Sequence, residues 1–199
     1  MKLLIFSDIH SDRAALERLM NIEADYYFAA GDLVNWGRGL GAMGQILEKR
    51  AGRMYVIPGN HESERDIELL CAKHGFRNFH GQHFNIGKWR VGGLGYSNPT
   101  PFHTPGEYTE EQLAAKLAPF AGPEPMVLIC HCPPKNTALD RAGRGEHFGS
   151  TAVAEFLAAR EPRYFFCGHI HEAAGVSEQI GNTWAMNVGK KGYLLDLPD

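Results

Sequence analysis

Short apolar runs recur along this chain, separated by stretches in which apolar residues return every third or fourth position. Leu3-Leu4-Ile5-Phe6, Tyr27-Phe28-Ala29-Ala30 and Val127-Leu128-Ile129-Cys130 are apolar at every position. A strand with one wet face alternates polar and apolar residues, whereas a strand covered on both faces need not. Strands are predicted at 2–6, 26–30, 53–57, 83–86, 89–94, 126–130, 163–167, 176–180, 183–187 and 192–195, several of them covered on both faces. Helices are predicted at 12–22, 64–73 and 150–160, where Leu16/Leu19/Met20, Ile67/Leu70/Cys71 and Val153/Phe156/Leu157 fall on one helical face. A fourth, at 109–117, opens with a Thr109…Gln112 capping box. Alternating strands and helices indicate an α/β protein. From residue 83 the strands are joined by glycine turns at Gly87-Lys88 and Gly181-Asn182, which predicts hairpins and a mixed or second sheet. The segments 96–108 and 133–149 have no period, and loops of that length in a compact domain usually carry function. No stretch has the composition of a linker, so one domain over residues 1–199 is expected.

Five of the apolar runs end alike. They lead into Asp8-Ile9-His10, Gly31-Asp32, Gly59-Asn60-His61, His131 and Gly168-His169-Ile170-His171. In open α/β sheets ligands bind at the carboxyl ends of strands. If these strands run side by side, Asp8, His10, Asp32, Asn60, His61, His131, His169 and His171 meet in one cluster. Each signal alone has a plain explanation as a helix cap, a turn or a hydrogen-bonded histidine. Five turns that all supply metal-type ligands do not, because buried imidazoles and carboxylates are costly without a cation to organise them. The donors are imidazole, carboxylate and one amide, which suit Mn, Fe, Zn, Co or Ni and suit calcium poorly. Seven candidates besides His61 exceed one tetrahedral site and match two divalent ions sharing a carboxylate.

Composition narrows the class. With 20 Lys+Arg against 23 Asp+Glu, the net charge of -3 exerts no general pull on nucleic acid or anionic lipid. No run is apolar for the roughly 18 residues that a membrane span requires. The N-terminal apolar run turns acidic at once and lacks a cleavage site, so it reads as a first strand, and a cytoplasmic location is expected. Cys71, Cys130, Cys132 and Cys167 are too irregularly spaced for a disulfide scaffold. Cys130 and Cys132 flank His131 on the opposite strand face and are expected to pack rather than ligate.

The segments Asp8-Ile9-His10, Gly31-Asp32, Gly59-Asn60-His61-Glu62, His131 and Gly168-His169-Ile170-His171 resemble, in order, the calcineurin-like metallophosphoesterase superfamily. The tract from Cys132-Pro133-Pro134 through Gly145-Glu146-His147-Phe148-Gly149-Ser150 is similar to a compact prokaryotic branch of it. The resemblance implies a four-layer α/β/β/α sandwich of two mixed sheets flanked by helices. It implies that Asp8, His10 and His171 hold one metal, that Asn60, His131 and His169 hold the other, and that Asp32 bridges them. His61 would stand beside the leaving group as a proton donor, oriented by Asp8. The activity implied is phosphodiester hydrolysis, with monoesters as an extension, by a hydroxide bridging two metals, manganese being favoured for activity.

Substrate contacts are expected from Arg144, His147 and His103, with Lys135 and Arg141 as further basic candidates. Trp36 and Phe148 are expected to pack at the core or rim, with stacking on a base or ring of the substrate as the alternative. The partner expected is a small phosphoester; nucleic acid enters only as a substrate, and the sequence leaves the oligomeric state open. A metal-binding scaffold acting through protein partners, or a nuclease, is the alternative. Asn35 and Trp36 replace the Asp-Arg pair of the Ser/Thr protein phosphatases, which argues against that activity.

Overall fold

Side chains on successive residues of each covered strand enter different apolar layers, and this builds the molecule. The structure is a computed structural model that describes residues 1–122 and 125–198. In chain order its elements are β1 (Lys2–Phe6), α1 (Arg13–Met20), β2 (Tyr26–Ala30), α2 (Leu40–Leu47), β3 (Met54–Ile57), α3 (Glu64–His74), β4 (Arg77–Asn78), β5 (Gln82–Ile86) and β6 (Trp89–Leu94). They continue with α4 (Glu110–Leu117), β7 (Met126–Cys130), β8 (Arg141–Ala142), β9 (Glu146–His147), α5 (Thr151–Arg160), β10 (Tyr164–Cys167), β11 (Ser177–Ile180), β12 (Thr183–Asn187) and β13 (Tyr193–Asp196).

One sheet has the order β13-β1-β2-β3-β4, and the other β11-β12-β10-β7-β6-β5. Both are mixed: β13, β11 and β5 run antiparallel to their neighbours, and the central strands are parallel. Leu3, Ile5, Phe28, Tyr55, Val127, Ile129 and Phe166 fill the layer between the sheets. Their sequence neighbours point outward: Leu4, Phe6, Tyr27 and Val56 pack under α1, α2 and α3, and Leu128, Cys130, Phe165 and Cys167 under α4 and α5. The fold is therefore the expected α/β/β/α sandwich of two mixed sheets. Among the described residues no helix is long and apolar enough to cross a membrane.

Most predicted elements lie within a residue or two of their observed bounds, and the capping box at Thr109 and Gln112 is present. Helix α2, the two-residue strand β4 and the β8–β9 hairpin were not expected. Helix α2 carries Gly41 and Gly44, which weaken its helical signature, but a side chain at residue 44 would strike His74 of α3. The segment 133–149 contains the β8–β9 hairpin, too short to leave a period. The four cysteines are free and buried, with Cys130, Cys132 and Cys167 in the core beneath α4 and α5.

Phe28 is almost fully buried between the sheets, its ring centroid 5.2 Å from Tyr55 and 5.5 Å from Phe79. Phe28→Ala should therefore destabilise the protein by about 3–5 kcal/mol in urea unfolding; a loss below about 1 kcal/mol would show that the layer between the sheets is not tightly packed.

Candidate metal centre

The parallel strands of the two sheets end along one seam, and their first residues past the end converge there. Asp8 and His10 follow β1, Asp32 follows β2, Asn60 and His61 follow β3, His131 follows β7, and His169 and His171 follow β10. The seam is closed by hydrogen bonds between the sheets: His131 Nδ1–H donates to the Ala30 carbonyl at 2.8 Å, and the Ser7 N–H donates to the Gly189 carbonyl at 3.0 Å. The backbone turns sharply here. Asp8, His10, Asp32 and His169 all have left-handed φ, at 56°, 45°, 53° and 70°, a conformation that is strained for residues other than glycine. Any side chain at residue 59 would run into the Asp32 carboxylate, and any at residue 168 into Asp8 and Ser7. Glycine at both positions lets the carboxylates sit against the opposing backbone.

All eight sequence candidates meet in this seam. Three groups have donor atoms within 4.8 Å of one another: Asp8/His10/His171, His10/Asp32/His61 and Asp32/His131/His169. His10 Nε2 lies 2.8 Å from His171 Nε2, and Asp8 Oδ1 lies 3.7 Å from His171 Nε2. Asn60 Oδ1 lies 2.8 Å from His169 Nδ1 and 3.2 Å from His131 Nε2. Asp32 Oδ2 stands between the groups, 3.6 Å from His10 Nε2 and 3.4 Å from His131 Nε2. Such separations suit neighbouring ligands on a cation with bonds of roughly 2.1 Å. The tautomers fit too. His10 gives its Nδ1–H to Asn35 Oδ1 at 2.8 Å, and His131 gives its own to Ala30, so in the neutral form each turns a bare Nε2 to the seam. Asn60 Nδ2 donates to Thr104 Oγ1 at 3.2 Å, which turns its carbonyl oxygen inward. The residues present therefore fit divalent cations bound by nitrogen and oxygen.

A sequence profile of the calcineurin-like phosphoesterases matches residues 1–173. The chain belongs to this family. It is 30% identical to the uncharacterized protein MJ1162 of Methanocaldococcus jannaschii over 98% of its own length and 91% of that protein. The crystal structure of TT1561 from Thermus thermophilus superposes with a TM-score of 0.70 at 18% identity, covering 98% of both chains. Phosphopantetheinyl hydrolase (PptH) from Mycobacterium tuberculosis superposes at 0.68 with 17% identity, covering 94% of this chain and 88% of the other. These two likenesses are of fold.

Two residues without an assigned role organise the centre. Glu62 is fully buried and accepts the N–H groups of Asp32 at 3.0 Å, Val34 at 3.0 Å and Gly59 at 2.9 Å, pinning the turns that follow β2 and β3. Burial, and then the adjacent Asp32 charge, push its pKa up to about 8 against those donors. The Asn187 amide donates to the carbonyls of Gly168 at 3.0 Å and Ile170 at 2.9 Å, fixing the His169 turn. Glu62 stood in the motif Gly59-Asn60-His61-Glu62, and Asn187 ended a predicted strand, but only the folded seam shows what they hold.

His61 is oriented differently from the expectation. Its Nδ1 accepts the Trp36 N–H at 3.3 Å, while the Asp8 carboxylate accepts the His169 N–H at 3.0 Å and 3.1 Å. The strand end of residue 8 points that carboxylate across the seam, and the residue 36 turn reaches His61 instead.

The substrate candidates divide as well. A cleft of about 540 Å³ opens over the centre, with His147, Lys135, Phe102 and Phe148 among its lining residues. Arg144 is not among them: it lies on the β8–β9 turn and lines a separate surface depression with Arg141. His103 is exposed and also stands outside the lining, while its neighbours Phe102 and Pro101 are in it. Trp36 and Phe148 are each 48% exposed, so they stand at the rim and not in the core.

Charge at the seam is strongly coupled. Burial alone would raise the Asp32 pKa, but the His131 and His10 imidazoles and the His61 N–H hold it well below the usual carboxylate range. Burial would lower His131, yet the Asp32 carboxylate pushes it up to about 9. Burial, and then the charge on His131, pull His169 down to about 4. A cation must therefore displace the His131 proton, and the affinity should rise with pH by up to about tenfold per unit from about pH 6 toward about pH 9. Calorimetric titration of metal-free protein with Mn(II) measures this; an affinity independent of pH over that interval would remove His131 from the ligand set.

Proposed function

We propose that this chain is a dinuclear-metal phosphoesterase that hydrolyses small phosphodiesters, and monoesters less well. In this reading Asp8, His10 and His171 hold one cation, Asn60, His131 and His169 hold the other, and Asp32 is shared. One observation carries it: a single oxygen, Asp32 Oδ2, lies within 3.6 Å of His10 Nε2 and 3.4 Å of His131 Nε2, at the edge of both donor sets. Two divalent cations there, manganese being our choice for activity, would make water a nucleophile near neutral pH and withdraw charge from the phosphoryl oxygens.

The chain's own residues supply the rest. His61 receives the Trp36 N–H on Nδ1, so its neutral ring carries the proton on Nε2. Burial lowers its pKa, which favours that neutral form at pH 7. It acts as an N–H donor to a phosphoryl or departing oxygen, pre-oriented by backbone and needing little reorganisation. The Asn35 carbonyl orients His10, and Asn35 and Trp36 stand where protein phosphatases have Asp and Arg. Lys135 is the one Lys or Arg among the described residues lining the cleft. A single positive side chain suits a singly charged diester better than a doubly charged monoester, and gives no track for a nucleic-acid backbone. Free buried thiols fit a reducing compartment, the cytoplasm.

Protein loaded with Mn(II) should hydrolyse bis(4-nitrophenyl) phosphate and lose that activity to chelator. His61→Ala should keep both cations and lose about 10²–10⁴-fold in kcat, whereas Asp32→Asn should release cation as measured by elemental analysis. Cation binding without turnover of any mono- or diester would favour a scaffold that acts through partners, and full activity in chelator would overturn the reading.

A further inference from the structure

The cleft carries a second built group outside the eight seam residues. His147, on β9, donates its Nδ1–H to Asp140 Oδ1 at 2.7 Å. Asp140 is fully buried, and its carboxylate also accepts the N–H groups of Thr137 at 2.9 Å, Gly149 at 2.9 Å and Asn136 at 3.2 Å. Backbone donors alone would satisfy a carboxylate that only shaped this loop. The imidazole adds a side chain whose tautomer and orientation are fixed, leaving Nε2 as its remaining polar atom at the cleft. The reaction as proposed above makes no use of this pair.

The cleft is also lined by bare aromatic surface. Phe102 is 72% exposed and Phe148 is 48% exposed, and both line the cleft. Apolar side chains so placed in a concave site mark a contact surface. The loops that carry them are held in place. Asn98 Nδ2 donates to the Phe148 carbonyl at 3.1 Å, and Asn98 Oδ1 accepts the Cys132 thiol at 3.1 Å. Glu107 Oε1 accepts the Thr100 hydroxyl at 2.6 Å and the Thr104 N–H at 2.8 Å, and Thr104 in turn meets Asn60 of the metal centre.

We propose that the outer cleft is an alcohol-binding subsite in which Phe102 and Phe148 flank a flat ring of the ester's organic group while His147, oriented by Asp140, hydrogen-bonds a polar atom of that same group. The substrate class is thus a phosphoester whose organic group carries an aromatic or heteroaromatic ring, as opposed to one of a simple alkyl alcohol. The inference rests on the phosphoesterase reading for the phosphoryl half of the substrate.

Calorimetry on the Mn(II)-loaded full chain tests it with methylphosphonate, phenylphosphonate and adenosine 5′-monophosphate. Wild type should bind phenylphosphonate about tenfold tighter than methylphosphonate. In the double variant Phe102→Ala/Phe148→Ala that preference should fall to about twofold or less with methylphosphonate unchanged; these are exposed positions whose truncation leaves the core intact. His147→Leu should weaken adenosine monophosphate by about fivefold to tenfold and leave phenylphosphonate unchanged, and His147→Gln should restore most of that loss. Methylphosphonate binding without a phenyl preference in wild type would overturn the subsite and leave the metal centre standing. Equal losses for all three probes in the variants would reassign these residues to loop structure. Failure of every probe to bind loaded protein that still hydrolyses bis(4-nitrophenyl) phosphate would overturn the subsite alone, and failure of both binding and hydrolysis would overturn the phosphoesterase reading with it.

Discussion

Two carboxylates buried where two sheets meet are the constraint around which this molecule is organised. Asp8 and Asp32 are 6% and 1% exposed, and neither has a lysine or arginine partner among the described residues. Their charges are held by backbone N–H groups of the facing turns and by imidazoles from the opposite sheet. Burying such charges is unfavourable unless every lone pair is engaged. The seam engages them only because Gly59 and Gly168 let backbone and carboxylate touch, and because the strand ends turn into left-handed conformations. Fold and site are thus a single arrangement: the hydrogen bond from His131 to the Ala30 carbonyl that joins the sheets also orients His131, and the His61 N–H seats Asp32 within the first sheet.

Strain of this kind persists only where the surroundings over-determine it. Glu62 takes three N–H groups from the turns around Asp32 and Asn60, and Asn187 clamps both carbonyls beside His169. Donor atoms held by such a frame are already in position before a cation or substrate arrives, so little reorganisation remains at the moment of reaction. The mouth of the cleft is built differently. Its loops are tied by Asn98 and Glu107, yet they leave Phe102 and Phe148 bare. A rigid, charged floor and an apolar rim are the features expected of a site that reads the phosphoryl group at depth and the organic group at the mouth.

The layers of the fold were legible because strands covered on both faces show it in their composition, as in Leu3-Leu4-Ile5-Phe6 and Val127-Leu128-Ile129-Cys130. Helix α2 was not, because Gly44 answers to the approach of His74 and Leu70 rather than to helix propensity. The two-residue strands β8 and β9 were not, because hydrophobic periodicity needs a longer window than they occupy.

For the site, the chemistry was written in the order of residues and its use was not. Asp, Asn and His placed just past apolar runs determine by themselves that polar ligands gather at strand ends, since a covered strand can expose them only there. Which atoms face one another is a matter of crossing the seam. That His61 takes its hydrogen bond from Trp36, that Asp140 stands behind His147, and that Phe102 enters the cleft while Arg144 and His103 turn away depend on loops that have no period of their own. Local sequence governs local geometry, but the partner of a side chain is set by packing between segments that can lie more than a hundred residues apart, as His131 and Ala30 do at 101; that part only the tertiary structure decided.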